Sequence, residues 1–400
     1  MRRPAGLSAG HVLPGASAAS GRPPDLLRTT GWVMVAVALP ATAVALALDV
    51  PAVTGAASQD WPPFVLVAGL LGVGLVARAD GLFDAAGTAM ADVARGGRSL
   101  FVAACGLVAV VTAVLNLDTA VAFLTPVVVV AARRRQTEET PFLYLAVFLA
   151  NGASLLLPGS NLTNLIVLGR VHQAGSAFAS TMALPWLASV VSVCVVVAVR
   201  WRGSLRSAGP RLDDPVDWRV GPGLAAVGVV VAAMLVLAPS LEAVVALGAG
   251  TVAAVWTIRA RRLGLDDLRR TVNVPLLCGL FGVAVDLGTL GRVWSGPAHL
   301  LAHTSAVLTA IVGASATIVL NNLPAASLMA ARAPAHPHAL LVGLDLGPNL
   351  AVSGALSAVL WLQVARTVGA HPSAWRYTTV GVIVVPVSMT LALLALTATR

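Results

Sequence analysis

The amino-acid sequence predicts an all-α integral membrane protein of two inverted repeats, with about nine spanning helices, two re-entrant hairpins and two broken helices. Three observations predict it. First, 58% of the 400 residues are hydrophobic and 11% charged, and the mean hydropathy is +0.87. A soluble chain carries about 25% charged residues, so lipid must be the solvent for much of this surface. Second, the net charge of +9 rests on arginine alone, in short clusters between apolar runs. That is the pattern of cytoplasmic loops in membrane proteins. Third, the two halves of the chain present the same elements in the same order.

Composition also excludes other classes. No basic stripe with interleaved aromatics is present, so nucleic acid is not an expected partner. Cys105, Cys194 and Cys278 are scattered through apolar runs without CxxC spacing and read as small buried hydrophobes. His299 and His303 have i,i+4 spacing but no third ligand, so no metal site and no cofactor are expected.

The elements follow from helix length and arginine position. Residues 1–30 are rich in Gly, Ala, Ser and Pro and read as a flexible cytoplasmic tail. Gly31–Leu48 is the first span, too long for a signal-peptide core and followed by many others. The segment up to Trp61 carries Asp49 and Asp60 but no Arg and reads as an outer loop. Pro63–Ala77 returns to Arg78, and an amphipathic segment runs to Arg98. Ser99–Ala132 is apolar, flanked by Arg at both ends and interrupted at Asn116-Leu117-Asp118-Thr119. Its short halves and polar centre read as a hairpin entering and leaving on one side.

Pro141–Arg170 crosses with a break at Pro158-Gly159-Ser160-Asn161, and Phe178–Val199 returns. Residues 200–219 form an Arg-rich cytoplasmic loop. Val220–Ala238 and Leu241–Ile258 make a tight pair around Pro239-Ser240, and Asn273–Leu290 goes out. A second interrupted stretch, His299–Ala331, has few Arg at its ends and reads as a hairpin from the outer side. His338–Arg366 crosses with a break near Gly347-Pro348-Asn349, and Ala374–Thr397 completes the set. The domains are therefore the tail, a first repeat over 31–199, the loop, and a second repeat over 220–400. The N-terminus is expected in the cytoplasm and the C-terminus outside, in a plasma or inner membrane. Asp286 and Glu242 fall near outer helix ends and read as solvated surface.

The repeat is visible in short matches. Gly69-Leu70-Leu71-Gly72-Val73 matches Gly279-Leu280-Phe281-Gly282-Val283, and Val114-Leu115-Asn116 matches Val319-Leu320-Asn321. Asn151–Asn164 overlays Asp345–Ala358 without a gap. An interrupted helix leaves backbone groups unpaired in the membrane, at several kcal/mol each unless something binds them. Two hairpin tips and two breaks meeting at mid-membrane would form one polar cavity, exposed to each side in turn by rocking. Half-helix N-termini attract anions and freed carbonyls attract cations or protons.

The candidate site residues are Asn116, Asp118, Thr119, Asn151, Ser160, Asn161, Asn321, Asn322, Asp345, Asn349 and Ser353. Asp118 and Asp345 are either ion carriers or caps of the following half-helix. Protonation removes a desolvated charge, which suits a proton carrier. The Asn and Ser residues either ligate substrate or satisfy the broken backbone.

At these motifs the chain resembles the ion transporter superfamily, especially the arsenite/antimonite permeases. The residues are Leu115–Ala120 with Leu124-Thr125-Pro126, Ala150-Asn151-Gly152 with Gly159–Leu165, Leu320–Ala325, and Asp345–Leu350 with Ser353-Gly354. The likeness covers about Pro63–Leu362. The first hairpin departs from it, with Asn-Leu-Asp-Thr where arsenite permeases tend to have Asn-Asp-Gly, and Ala153-Ser154 replaces paired glycines. Val220–Ala238 has no partner in the first half.

The resemblance implies a secondary transporter without cofactors, exporting arsenite or antimonite against protons. The alternatives are a sodium- or proton-coupled carrier of an organic anion such as a dicarboxylate or citrate, or a sodium/proton antiporter. The partners implied are a small inorganic or organic anion or oxyacid, protons or sodium, the lipid bilayer, and a second copy of the chain in a homodimer. No HExxH, Asp-rich or Ser/His arrangement supports an intramembrane enzyme.

Overall fold

A computed structural model of the chain describes residues 26–171, 173–206, 221–237 and 239–399. Most of the expected tail and loop lie outside these residues. The last residues of the expected tail join the first helix, α1 (Leu26–Leu48), since no Gly or Pro separates Leu26 from Gly31.

The first half continues with α2 (Val50–Ala79), α3 (Leu82–Val93), α4 (Gly97–Val114), α5 (Leu117–Arg134), α6 (Thr140–Ala153), α7 (Leu162–Val171) and α8 (Gly175–Arg200). The second half contains α9 (Pro222–Val236), α10 (Pro239–Arg259), α11 (Leu265–Val272), α12 (Val274–Val293), α13 (Gly296–His303), α14 (Ala306–Leu320) and α15 (Asn322–Met329). It ends with α16 (Pro337–Leu346), α17 (Leu356–Thr367) and α18 (Ala374–Thr397). Seven stretches, within α1, α2, α4, α8, α10 and α18 and across α11–α12, are long and apolar enough to cross a membrane.

Two expectations are corrected. The outer loop Asp49–Trp61 is helical. Asp49 alone separates α1 from α2, and its carboxylate accepts from the Ala52 N–H at 2.9 Å, capping a helix of 30 residues. Pro51 suits the first turn, and Pro62-Pro63 are tolerated within the helix. The second hairpin starts later than His299, because Gly296–His303 is a separate helix. Ser305 Oγ then accepts from the Leu308 N–H and caps α14.

The first hairpin has longer arms than expected. Its break narrows to Leu115-Asn116, and Leu117-Asp118-Thr119 already form the first turn of α5. With 18 residues each, α4 and α5 rise about 27 Å. In the second hairpin α15 has 8 residues and rises about 12 Å, less than half a bilayer.

The repeated Gly-x-x-Gly motif has one job in both halves. Gly69 lies so close to α10 that a Cβ would stand 2.5 Å from the Ala246–Leu247 backbone. Gly279 lies equally close to α1, where a Cβ would meet Gly31 O at 2.8 Å and Met34 Cβ at 2.7 Å. Small residues let membrane helices approach this closely. Thus α2 packs along α10, α12 packs along α1, and each half supplies the other's partner.

The same exchange recurs deeper in the molecule. The second part of each broken helix packs on the other half's hairpin, α17 on α5 and α7 on α15. Together α8 and α18 pack on each other behind the breaks.

Candidate functional site at the helix breaks

The two breaks share one backbone turn, and the second carries a further 3-10 turn at Gly347–Leu350. Pro158–Ser160 and Val352–Gly354 are 3-10 turns, and Asn161 and Ala355 after them are extended, at φ −149°, ψ 142° and φ −148°, ψ 152°. These positions correspond under the gapless overlay of Asn151–Asn164 on Asp345–Ala358. Freed backbone groups are satisfied locally. Ser160 Oγ donates to Ser154 O at 2.7 Å, and Asn164 Nδ2 donates to the same carbonyl at 2.8 Å. From the helices behind, Trp186 Nε1 donates to Ala153 O at 3.0 Å and Tyr377 Oη to Pro348 O at 3.0 Å.

Between the breaks lies a buried polar cluster. Asp345 of α16 is fully buried, yet its carboxylate faces the first half. It accepts from Asn161 Nδ2 at 3.0 Å, from Ser154 Oγ at 3.4 Å, and from Thr163 Oγ1 in a short contact. No described Arg or Lys pairs with it. Beside it Asn151 Nδ2 donates to Asn349 Oδ1 at 2.7 Å, and Asn349 Nδ2 donates to Phe148 O at 3.2 Å.

A cavity of about 240 Å³ opens in front of this cluster. Its lining draws on Leu117 and Asp118, on Asn161 and Leu162, on Asn322 and Leu323, and on Leu356 and Ser357. Four helix N-termini, those of α5, α7, α15 and α17, therefore converge on one space. Each carries roughly half a positive charge in unpaired N–H groups. Among the described residues Asp118 is the one carboxylate on the wall. Arg78 and Arg270 are exposed on the rim, the first over the Phe123 ring at 5.9 Å.

The expected site residues separate by position. Asp118, Asn161 and Asn322 line the cavity. Asn151, Asp345 and Asn349 form the cluster behind it, and Ser160 closes the first break. Asn116 caps α5 by accepting from the Thr119 N–H at 2.7 Å; its Nδ2 and Thr119 Oγ1 are buried without partners. Asn321 Nδ2 donates to Ser353 O at 3.1 Å and ties the second hairpin to the second break, while the Ser353 side chain is exposed. Ser154, Thr163 and Ser357 were missed. The overlay could have found Thr163 and Ser357, two hydroxyls that fall on each other one residue inside their helices; Ser154 falls on Pro348 and carries no such signal.

On the side opposite the arginine rim, a polar clasp closes the same walls. Gln59 Nε2 of α2 donates to Ile166 O of α7 at 2.9 Å and to Ala330 O after α15 at 3.2 Å. Its Oε1 accepts from Arg292 of α12 at 2.6 Å, and Arg292 also donates to Gly55 O and Gly288 O. Asp60, expected in a loop, is buried beside this clasp. Glu242, expected on the surface, is buried as well, because α10 packs it against α2. Asp286 is half-buried and accepts from Thr42 Oγ1 at 2.6 Å. His299 and His303 stack at 4.3 Å, and no group of three metal-ligating side chains exists among the described residues.

Helix breaks meeting around a central cavity, in a molecule with seven candidate spans, define a secondary membrane transporter. The chain belongs to the citrate transporter family: the CitMHS family model, described as citrate transporter, matches residues 26–369. It thereby falls within the ion transporter superfamily. An uncharacterized transporter of Mycobacterium tuberculosis strain H37Rv is 29% identical over 376 residues, covering 83% of this chain and 85% of that one. The arsenical pump membrane protein of Escherichia coli K12 is 28% identical over 340 residues, covering 75% and 78%. The crystal structure of the Alcanivorax borkumensis YdaH transporter shares the fold, with a TM-score of 0.50, 15% identity, and coverage of 94% and 97%.

Proposed function

We propose that the protein is a proton-coupled exporter of an uncharged or singly charged oxyacid, with arsenite and antimonite as its substrates. The observation that carries this reading is the charge balance of the cavity. Four helix N-termini bring roughly +2 in all, and Asp118 offsets about half of it. Such a site favours a small hydroxyl-rich solute, which can accept from N–H groups and donate to Asp118 and the Asn carbonyls. A trianion would lie against a carboxylate. The similarity to an arsenical pump membrane protein supports the same substrate class. Proton coupling is supported by Asp345, a buried carboxylate surrounded by neutral donors and no cation.

The transport cycle we infer is alternating access between two inverted repeats. The Arg distribution supports a cytoplasmic position for the rim with Arg78 and Arg270 and an outer position for the Gln59–Arg292 clasp. The cavity is then open inward and closed outward, and release of the clasp reverses it. A second reading, a carrier of organic anions such as citrate, draws on the rim: Arg78 and Arg270 add two positive charges at the entrance. The test is uptake into everted vesicles with arsenite and citrate as alternative substrates, and with proton and sodium gradients imposed separately. Proton-driven arsenite uptake is expected. Sodium-driven citrate uptake without arsenite uptake would replace the first reading by the second.

A further inference from the structure

A second cavity, of about 490 Å³, lies across a thin partition from the central one. The partition is made of α2 and α7. At the start of α7 the central cavity touches Leu162 and the preceding Asn161, and further along the second touches Leu165 and Leu168. On α2 the central cavity begins at Phe64, and the second is lined by Gln59 and Pro62. The 3-10 turn of the first break also reaches the second cavity, through Pro158.

Glu242 of α10 borders this second cavity. It is 1% exposed, and its Oε1 has no hydrogen-bond partner. It stands about 25 Å along the helix axis from Arg259, so it lies on the side opposite the arginine clusters. The surrounding elements bring Asp60 and Arg78 on α2, Arg170 on α7, Arg200 on α8 and Arg259 on α10 itself; α9 brings no charge. None of these lines the cavity, and Glu242 is its one titratable residue among those described. His338 of α16 meets Gln173 Oε1 at 2.8 Å.

A buried carboxylate without donor or cation is unstable as a bare anion. It requires a positive ligand, and the cavity is poor in further oxygens. The Gln59 amide is committed to Arg292 and two carbonyls, and Gln173 to His338. A divalent cation takes about six oxygen ligands, which Glu242 with Ser58 and Ser240 does not supply. A proton needs one.

We propose that Glu242 is a proton-binding site of the second cavity, loaded from the side opposite the arginine clusters, and that it couples that side's proton to transport. Loading forms one O–H bond on the carboxylate, and unloading returns the proton with no other bond changed. The first break links the two sites mechanically: Pro158 borders the cavity, Ser160 in the same turn holds Ser154 O, and Ser154 Oγ donates to Asp345. The coupling role rests on the proton-coupled reading above; the binding of the proton does not.

The experiment uses the whole protein in liposomes. Dicyclohexylcarbodiimide, which attacks protonated carboxyls in apolar surroundings, is applied at mildly acidic and mildly alkaline pH, and modified peptides are identified by mass spectrometry. Glu242 is expected to be modified several-fold more at acidic pH, with no protection by sodium at fixed pH. Absence of modification at every pH, or protection by sodium, would overturn the proton site. In the same liposomes Glu242→Gln should lower proton-driven flux at least tenfold, and Glu242→Asp should keep part of it with a displaced pH profile. Unaltered flux in a monodisperse Glu242→Gln protein overturns the coupling role. If the wild type shows no proton-driven flux for any anion while Glu242 is still modified, the transport reading fails and the site stands.

Discussion

Three donors from one broken helix, Ser154, Asn161 and Thr163, converge on the carboxylate of Asp345 in the other. Removing a donor from a buried carboxylate leaves it under-solvated, at about 1–3 kcal/mol. Thr163→Val should therefore lower the thermal unfolding temperature in detergent, whereas Asp345→Asn, which can still accept from the same donors, should fold. Asp345→Asn should nonetheless lose proton-driven flux, because an amide cannot take up the proton. Equal flux in wild type and Asp345→Asn would remove Asp345 from the coupling path. At this scale the sequence was only partly legible. Asp118, Asn161 and Asn322 stand at the wall of the cavity, and each adjoins a break that Pro, Gly or Asn announces locally. Ser160 and Asn116 were named for the same reason but serve the backbone: every break creates orphaned groups, and the nearest polar side chains are the ones that reach them. Which Asn turns outward is decided by packing.

Elements were more legible than residues where the chain itself carries the punctuation. Both hairpins and both breaks were found from polar interruptions of apolar runs, and the matched 3-10 turns follow the overlay residue for residue. The segment Asp49–Trp61 reads as a loop in the sequence because Asp49, Gln59 and Asp60 look like loop chemistry, yet it is helical. Asp49 in fact caps α2 locally, Asp60 is buried, and Gln59 binds carbonyls 107 and 271 positions away, which no local pattern encodes. Gln59→Ala removes both tethers and should loosen α7 and α15 from α2. The expected result is faster maleimide labelling of a reporter cysteine, Leu165→Cys, from the side opposite the arginine rim. An unchanged rate would show that the clasp does not hold that side closed. The Gly-x-x-Gly seam makes a separate prediction. Gly69→Ala would press a methyl group into the Ala246–Leu247 backbone, and overpacking of this kind costs about 1–3 kcal/mol. A lowered unfolding temperature, read by differential scanning fluorimetry, is expected.

The whole molecule is organised by exchange. Because α2 rests on α10, α12 on α1, α17 on α5 and α7 on α15, no half contains a complete set of its own contacts. Apolar runs and their polar interruptions carry the order of the elements in the sequence, yet this interleaving is invisible there, since it depends on which distant surfaces meet.

The exchange has a consequence for how the protein can be cut. Severed between α8 and α9, the chain becomes two polypeptides, each with glycine seams facing lipid and half of a polar cluster. Neither fragment should accumulate alone, since an unpaired Asp345 or an uncovered break is costly in hydrocarbon. Expressed together, they should find each other in the bilayer and co-purify as a one-to-one pair that transports. Stable accumulation of either fragment by itself would mean that the halves are autonomous after all. The covalent link between them would then serve assembly only as a tether, setting the stoichiometry of two pieces that already know how to dock.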